Sequence, residues 1–356
     1  MISTLRDRAM RSRSNQCKHS SWTLARTLTM KKMLMNTLTL RRQRPNVIFT
    51  QQLNKARSKR SVRPWEGLME RSVLIVESGT SARLLLTNAL KKLGFSYRIS
   101  TSAAEALELA RHHRPDVAIV GSAMGDRAID RLCREWKLDP RTNPLILIRV
   151  EQPGLFLDLD LEPDDWLSLP CEVPTLAEVL DRAFHAAEDR RQDGVRSEIR
   201  WRLPSDREVL TVFQDQFRAW MQGYGLNNFR WQQLALAVRE LCANAMEWGH
   251  SFERERIVSV AARLDAEKIS VLVRDSGKGF NPRHVPHAAR PGDPISHLEI
   301  RAAARIREGG YGILMASGLV DHLVYNDVGN EALAIRFLPH PEADMVDQSL
   351  ATTLYL

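Results

Sequence analysis

Two stretches in the C-terminal half of this 356-residue sequence could bind a small polar ligand. In VRDSGKGFNP, Asp275 follows alternating apolar residues at a predicted strand end and stands just ahead of Gly277 and Gly279. An ionised carboxylate only accepts hydrogen bonds, and glycine lets the backbone take positive φ and approach a ligand closely. In EGGYGILMASGL, three glycines precede a predicted helix whose first N–H groups favour oxyanions: Gly309, Gly310 and Gly312.

A third stretch, RWQQLALAVRELCANAMEWGH, predicts a helix with two distinct faces. The residues Glu240, Asn244 and Glu247 follow one another at i, i+4 and i+7 and therefore share a polar face. The apolar positions repeat at spacings of three and four, which predicts that they are buried: Leu234, Val238, Leu241, Ala245 and Trp248. Taken alone, such a polar face is most often a solvated helix surface.

The three stretches occur together in one sequence, and this combination favours a binding site. ELCANAMEWGH resembles the N box of the GHKL ATP-binding fold, DSGKGF resembles its first glycine box and GGYGI its second, in the order of that family. The resemblance implies that the cofactors are ATP and Mg²⁺. Asp275 would then accept the exocyclic amino group of adenine, beside Gly277 and Gly279. The residues that would meet the phosphates are Gly309, Gly310 and Gly312.

The resemblance also assigns roles on the helix and in the connection that follows Asn281. Asn244 would supply an oxygen to Mg²⁺, and Glu240 would orient or deprotonate a nucleophile. The segment 281–308 corresponds to the ATP lid. One of its arginines (Arg301, Arg305 or Arg307) could neutralise phosphate, and sequence does not choose among them. A metal site could be formed by the histidines of this segment, which are His284, His287 and His297. They lack a Cys or carboxylate pattern, which favours a role as simple lid residues.

Helices grouped before an antiparallel hairpin predict an α+β two-layer sandwich for residues 193–340. EIRWRLP predicts its first strand. Ser205 and Glu208 have the spacing of a capping box at the start of the following helix.

Residues 69–192 alternate short apolar runs with amphipathic stretches, which predicts a doubly wound α/β domain with a parallel sheet. The order and lengths resemble a flavodoxin-like response-regulator receiver domain. At the functional positions of that family this sequence has Glu77 and Ser78, Gly121, Arg149 and Leu169. Since Gly121 has no carboxylate to accept a phosphoryl group, there is no phosphoacceptor and we expect a pseudo-receiver that serves as an interaction module.

Two details of this domain depart from the receiver pattern. Asp126 could stand in for the missing aspartate, although a helix N-cap is the better interpretation. The segment 152–163 has little helical periodicity, and we expect it to be irregular where a receiver has its fourth helix.

Residues 1–68 contain 16 Lys and Arg against two acidic residues, a net charge of +14, whereas the rest of the chain has 35 basic and 41 acidic residues, a net of −6. This segment cannot bury enough apolar surface to fold. It is a basic disordered arm that could touch nucleic acid, a targeting peptide, or sequence upstream of a true start at Met69. Residues 341–356 are predicted to be a C-terminal tail.

The folded part is acidic and shows no helix-turn-helix pattern, which disfavours a DNA-binding regulator. The four cysteines are scattered, as expected of free thiols in a reducing cytoplasm. No apolar run is long enough to span a bilayer, so we expect no membrane contact.

Within the GHKL fold, the compact domain resembles the anti-sigma-factor serine kinases. A sensor kinase would need a histidine on a dimerisation helix, and His185 falls in the last helix of the receiver-like domain. The resemblance implies a serine/threonine kinase of bacterial signal transduction whose partners are an antagonist-like protein substrate or a sigma factor, with a homodimer left open. It departs from that group at Trp248 and Gly249, where the group commonly has His-Gly, and at Tyr311. The alternative is a non-catalytic scaffold whose surface is switched by ATP.

Overall fold

The computed structural model describes residues 71–143, 145–150, 159–281, 285, 288–289, 292–293, 295–305 and 310–339. The predictions for residues 1–68 and 341–356 lie outside these ranges. All of the described residues belong to one compact unit.

Residues 71–192 form the predicted parallel sheet. Its strands are β1 (Ser72–Val76), β2 (Ser96–Ser100), β3 (Val117–Val120), β4 (Ile146–Val150) and β6 (Asp165–Leu167), and the intervening β5 (Asp160–Leu161) joins a second sheet. The order β2-β1-β3-β4-β6, with every pair parallel, is the flavodoxin-like order of doubly wound folds. The prediction of a doubly wound receiver-like domain is confirmed.

Four helices cover the two faces of this sheet. Helices α1 (Thr80–Leu93) and α4 (Val173–Gln192) pack on one face, and α2 (Ala103–His113) and α3 (Asp126–Leu138) pack on the other. Apart from the half-buried Ser72, all residues of β1, β3 and β4 are buried, and all of these except Arg149 are apolar, as expected of strands covered on both faces.

The second sheet has the order β10-β11-β9-β8-β7-β5, and every neighbouring pair in it is antiparallel. Its remaining strands are β7 (Ser197–Pro204), β8 (Ile257–Leu264), β9 (Lys268–Arg274), β10 (His322–Tyr325) and β11 (Glu331–Phe337). The alternate residues of β8, β9 and β11 are buried, as period-2 patterning requires of a sheet with one covered face.

Helices α5 (Arg207–Gly223), α6 (Phe229–Asn244) and α8 (Gly312–Gly318) contribute buried residues to the core on this sheet, and α7 (His297–Ala303) lies in the preceding connection. Buried aromatic rings from β7 and α5 meet edge-on and stacked: Trp201, Phe213, Phe217 and Trp220. The two-layer α+β sandwich is confirmed.

Two predicted helix caps are wrong. Gly125, with φ of 83°, occupies the N-cap position of α3, so Asp126 is the first helical residue. At α5 the N-cap is Asp206, whose side chain accepts a hydrogen bond from the Glu208 N–H, because the Ser205 hydroxyl contacts His250 instead. A capping-box spacing does not reveal such a competing partner.

The segment predicted to be irregular contains β5, a strand of the second sheet. Asp160 lies opposite Arg202 and Leu161 opposite Trp201 in an antiparallel pair with β7. The Leu161 side chain enters the core of the second sheet. Within the Leu–Asp alternation, Asp160 and Leu161 therefore form a short strand that pairs with the following domain.

A buried ion cluster crosses the same junction. Asp164 lies 2.6 Å from Lys137 Nζ on α3 and 2.6 Å from the Arg190 guanidinium on α4. Arg190 also lies 3.4 Å from Glu198 on β7, which pairs with Arg200. These cations hold the pKa of Asp164 far below its usual range and, despite burial, lower the pKa of Glu198 to about 2. The domain boundary predicted between residues 192 and 193 stays a prediction. The β5–β7 pairing and the ion cluster connect the residues on its two sides.

We expect Asp164→Asn to lower the free energy of unfolding by about 3–5 kcal/mol, because it leaves Lys137 buried without its anion and removes one of the two carboxylates beside Arg190. The matched control is Asp165→Asn, which removes a more exposed pair with Arg182 and should cost at most about 1 kcal/mol. Urea unfolding at pH 7 measures both values. Equal effects would contradict the importance of the cluster.

The pH dependence follows from the lowered pKa values of Asp164 and Glu198. The unfolded carboxyls titrate near pH 4, so their stabilising contribution is fully present above that pH and is lost as pH falls toward the folded pKa values. The wild-type protein should therefore lose stability more steeply below about pH 4 than Asp164→Asn does. Unfolding midpoints measured across acidic pH give both slopes.

Candidate functional site

In the receiver-like domain, the position of the phosphoacceptor is filled by another side chain. A Cβ placed on Gly121 would lie 1.6 Å from Glu77 Oε2. The buried Glu77 carboxylate is held there by the Gly79 N–H, which donates to Oε1 at 2.6 Å. Glu77 and Gly121 are therefore complementary, since the carboxylate of one occupies the space that the other leaves.

The other receiver positions serve packing and ion pairing. Arg149 lies 2.8 Å from Asp130 Oδ1 on α3 and 3.8 Å from Asp160 Oδ2 on β5. Leu169 packs against the core beneath α4. Arg149 thus connects the receiver sheet to the strand that extends the second sheet.

The second domain contains a cavity of about 420 Å³ between α6, the end of β9 and the start of α8. All three predicted stretches contribute to its lining: Glu240, Asn244, Asp275, Gly279, Gly310 and Gly312. Gly277 lies directly beside Asp275, and the predicted Gly309 is outside the described residues. Tertiary structure therefore brings together residues that are up to 72 positions apart in sequence.

Asp275 is fixed in a tight turn at the end of β9. Its Oδ1 accepts the Gly277 N–H at 2.7 Å, and its own N–H donates to the Asn330 carbonyl at 3.0 Å. Burial raises the pKa of its carboxyl above the usual value. The carboxylate has further lone pairs with which it can accept hydrogen bonds from a ligand in the cavity.

The glycines in this turn are required by close backbone approaches. A Cβ on Gly277 would lie 2.6 Å from the Gly249 carbonyl oxygen, and a Cβ on Gly249 would lie 2.5 Å from Asp275 Oδ1. Gly279 has φ of +71°, and its Cβ would lie 2.0 Å from the Val328 carbonyl oxygen. The floor of the cavity is therefore built from backbone segments in direct contact.

Glu240 and Asn244 line the same cavity beside Gly312, one turn apart on α6. A Cβ on Gly312 would be 3.3 Å from Glu240 Oε2 and 3.3 Å from Asn244 Nδ2. Asn244 Nδ2 is buried and has no hydrogen-bond partner within the described part of the chain. A buried amide without a partner is costly, and a ligand oxygen in the cavity would satisfy it.

The predicted buried face of α6 is wrong at Trp248, which is 51% exposed and lines the cavity. The cause is a π-helical turn, Ala245–Gly249, which follows Asn244. A π turn contains one residue more than an α turn, so it rotates later side chains around the axis. Trp248 consequently reaches the cavity and Glu247 is not among its lining residues.

Of the predicted lid residues, Arg301 is placed at the cavity. Its side chain is buried, with the guanidinium carbon 6.0 Å from the centre of the Trp248 ring. His297 packs edge-on against Tyr311, with ring centres 4.8 Å apart. Arg305 is described but does not line the cavity, and the other candidates (Arg307, His284 and His287) lie outside the described residues.

The described residues contain neither a metal-binding cluster nor a helix that could cross a membrane. No group of three His, Cys, Asp or Glu side chains within them could hold a metal ion. In the same ranges, every helix is too short or too polar to cross a bilayer.

Sequence reasoning missed four residues that shape the site: Gly249, His250, Arg256 and Gly329. Gly249 and His250 follow the predicted helix directly, and a Gly-His pair at a helix end is a weak signal. Gly329, with φ of +82°, packs against the Phe280 carbonyl, and its only sequence signal is the turn-like NDVGN before β11.

Residues 203–336 match the family described as histidine kinase-like ATPase domain. Together with the strand order of the first sheet, this match confirms the prediction of a receiver-like domain fused to a GHKL-type ATP-binding domain.

Two curated relatives and one solved structure are similar to parts of this chain. The chain is 20% identical over 157 residues to the serine-protein kinase RsbW of Bacillus velezensis, covering 44% of this chain and 94% of that one. It is 24% identical over 123 residues to RsbW of Bacillus licheniformis, covering 34% and 72%. The structure of a putative response regulator from Chloroflexus aurantiacus is 21% identical, covers 33% of this chain and 99% of its own, and has a TM-score of 0.28.

The close backbone contact at Gly279 can be tested by substitution. Gly279→Ala would force alanine into a left-handed conformation and against the Val328 carbonyl, so we expect it to cost about 2 kcal/mol or more of unfolding free energy. Gly318→Ala is the matched control, since a Cβ there meets nothing within 4 Å, and it should change stability by less than about 1 kcal/mol. Chemical denaturation of both variants measures the difference, and equal stability would contradict the contact.

Proposed function

We propose that this protein is an ATP-binding regulatory kinase that transfers a phosphoryl group to a serine or threonine of a protein substrate. The observation that carries this proposal is that Asp275, Glu240 and Asn244 all line one cavity. The match of residues 203–336 to a kinase-like ATPase family and the serine-protein kinases among the relatives support it.

The cavity fits Mg²⁺-ATP by the chemistry of its residues. Asp275 would bind the adenine amino group, from a turn whose glycines allow close backbone contacts. Asn244 offers a carbonyl oxygen to Mg²⁺ and an amide N–H that has no partner among the described residues. When bound, Mg²⁺-ATP supplies the phosphoryl group that is transferred.

Glu240 is the residue that we assign to catalysis. Its carboxylate lies beside Gly312 at the cavity, and its side chain is 21% exposed, so an acceptor hydroxyl from outside could reach it. Glu240 would hold that hydroxyl by a hydrogen bond and accept its proton. Arg301 adds positive charge to the same cavity wall.

The receiver-like domain would act as a fixed interaction module that is not phosphorylated. The Glu77 carboxylate fills the space beside Gly121, and β5 with the Asp164 cluster joins the domain to the ATP-binding domain. Protein partners such as an antagonist-like substrate or a sigma factor would bind to this combined body.

Nucleotide binding is tested by calorimetry with ATP, with and without Mg²⁺. We expect Asp275→Asn to lower ATP affinity by roughly 10- to 100-fold, because a hydrogen bond to a charged group is lost. Asn244→Ala should weaken binding mainly when Mg²⁺ is present. Asp215→Asn, on the exposed side of α5, is the control and should bind like the wild type. A folded wild-type protein that binds no ATP would refute the proposed function.

Catalysis is tested by transfer of labelled γ-phosphate from ATP to an antagonist-type protein. We expect Glu240→Gln to keep ATP affinity within about threefold and to reduce transfer by roughly 10²- to 10⁴-fold, the usual contribution of a general base. Glu247→Gln is the control, since Glu247 does not line the cavity. ATP binding without transfer by the wild type would favour the non-catalytic scaffold.

A further inference from the structure

His250 lies directly behind the Asp275 turn and is not used by the proposed chemistry. The side chain is fully buried, just after the π-helical turn that ends at Gly249. Its Nδ1 lies 2.6 Å from Ser205 Oγ, and its Nε2 lies 2.9 Å from the Ser276 backbone nitrogen. The imidazole therefore joins the start of α5 to the turn that carries Asp275.

The hydrogen bonds determine which ring nitrogen carries the proton. The Ser276 backbone N–H can only donate, so Nε2 must have a free lone pair and the ring proton must be on Nδ1. The Nδ1–H then donates to Ser205 Oγ, and the Ser276 hydroxyl, 3.0 Å from Nε2, can also donate to it. Burial, with Arg256 nearby, lowers the pKa of His250 to about 4, in agreement with a neutral ring.

Ser276 is held from its other side by Arg256. The Arg256 guanidinium donates to the Ser276 carbonyl oxygen at 2.8 Å and to its Oγ at 3.1 Å. The peptide groups on both sides of Ser276 are thereby fixed, one by His250 and one by Arg256. Because Asp275 precedes Ser276 and its Oδ1 accepts the Gly277 N–H, the orientation of the Asp275 carboxylate depends on this fixed backbone.

We propose that neutral His250, protonated on Nδ1, is a positioning residue that orients the Asp275 carboxylate for recognition of the adenine amino group. This inference rests on the proposed function for the ligand. The hydrogen-bonding role of the ring does not depend on it. The Ser205 hydroxyl accepts the hydrogen bond from His250 Nδ1. Because it is engaged there, it does not cap α5.

The first experiment examines the protein without nucleotide. Nitrogen NMR of the full chain at pH 7 should show His250 as the neutral Nδ1–H tautomer, and amide hydrogen exchange should show a protected Ser276 N–H. His250→Leu, which keeps an apolar side chain in the buried position, should make the Ser276 amide exchange at least about tenfold faster. An Nε2–H tautomer, a protonated ring, or unchanged exchange in the variant would overturn the inference.

The second experiment compares ATP with inosine triphosphate, which lacks the exocyclic amino group. The wild type should prefer ATP by roughly tenfold or more, since Asp275 accepts from that group. His250→Leu should reduce this preference to less than about threefold, whereas a purely structural loss would weaken both nucleotides equally. His250→Gln, whose amide oxygen can accept the Ser276 N–H, should restore the preference. His322→Leu, on the exposed edge strand β10, should leave it unchanged.

The two experiments separate the inference from the proposed function. If the wild type binds neither nucleotide, the proposed function fails, and the tautomer and the exchange rates still decide whether His250 holds the turn. If the wild type prefers ATP and His250→Leu retains that preference in full, the positioning role is wrong and the proposed function stands.

Discussion

The buried carboxylate of Asp164 is the constraint on which the arrangement of the two domains depends. A charge in this position is stable only with its partners, and these come from α3 and α4 of the receiver-like domain. Arg190 then extends the cluster to Glu198 on the first long strand of the ATP-binding domain, where β5 also pairs. The two domains are therefore connected by ion pairs and strand pairing, and β5 completes one edge of the sheet that supports the cavity.

The residues at the receiver positions are engaged in contacts within the protein. The space beside Gly121 is occupied by the Glu77 carboxylate. Arg149, at another of these positions, is engaged with Asp130 and Asp160. These residues support packing and the connection between the sheets.

In the ATP-binding domain, close backbone contacts fix the cavity. Gly249, Gly277 and Gly279 each stand where a side chain would strike a neighbouring backbone or the Asp275 carboxylate. The peptide groups of the turn are engaged by Asn330, His250 and Arg256, and of these only Asn330 is among the residues that line the cavity. The position of the Asp275 carboxylate consequently depends on supporting hydrogen bonds as well as on the lining side chains.

The sequence by itself determined both fold classes and part of the cavity lining, since hydrophobic periodicity and glycine motifs are local signals. Glu240, Asn244 and Asp275 were predicted because three motifs occur together in the order of a known family, whereas the spacing on one helix alone did not distinguish a site from a solvated surface. Three features were decided only by tertiary structure: the π turn that exposes Trp248, the pairing of β5 with β7, and the capture of the Ser205 hydroxyl by His250. Each arises from a partner distant in sequence or from one extra residue in a turn. Local sequence patterns do not reveal such partners, because the free energy of the contact is gained only when the two segments meet.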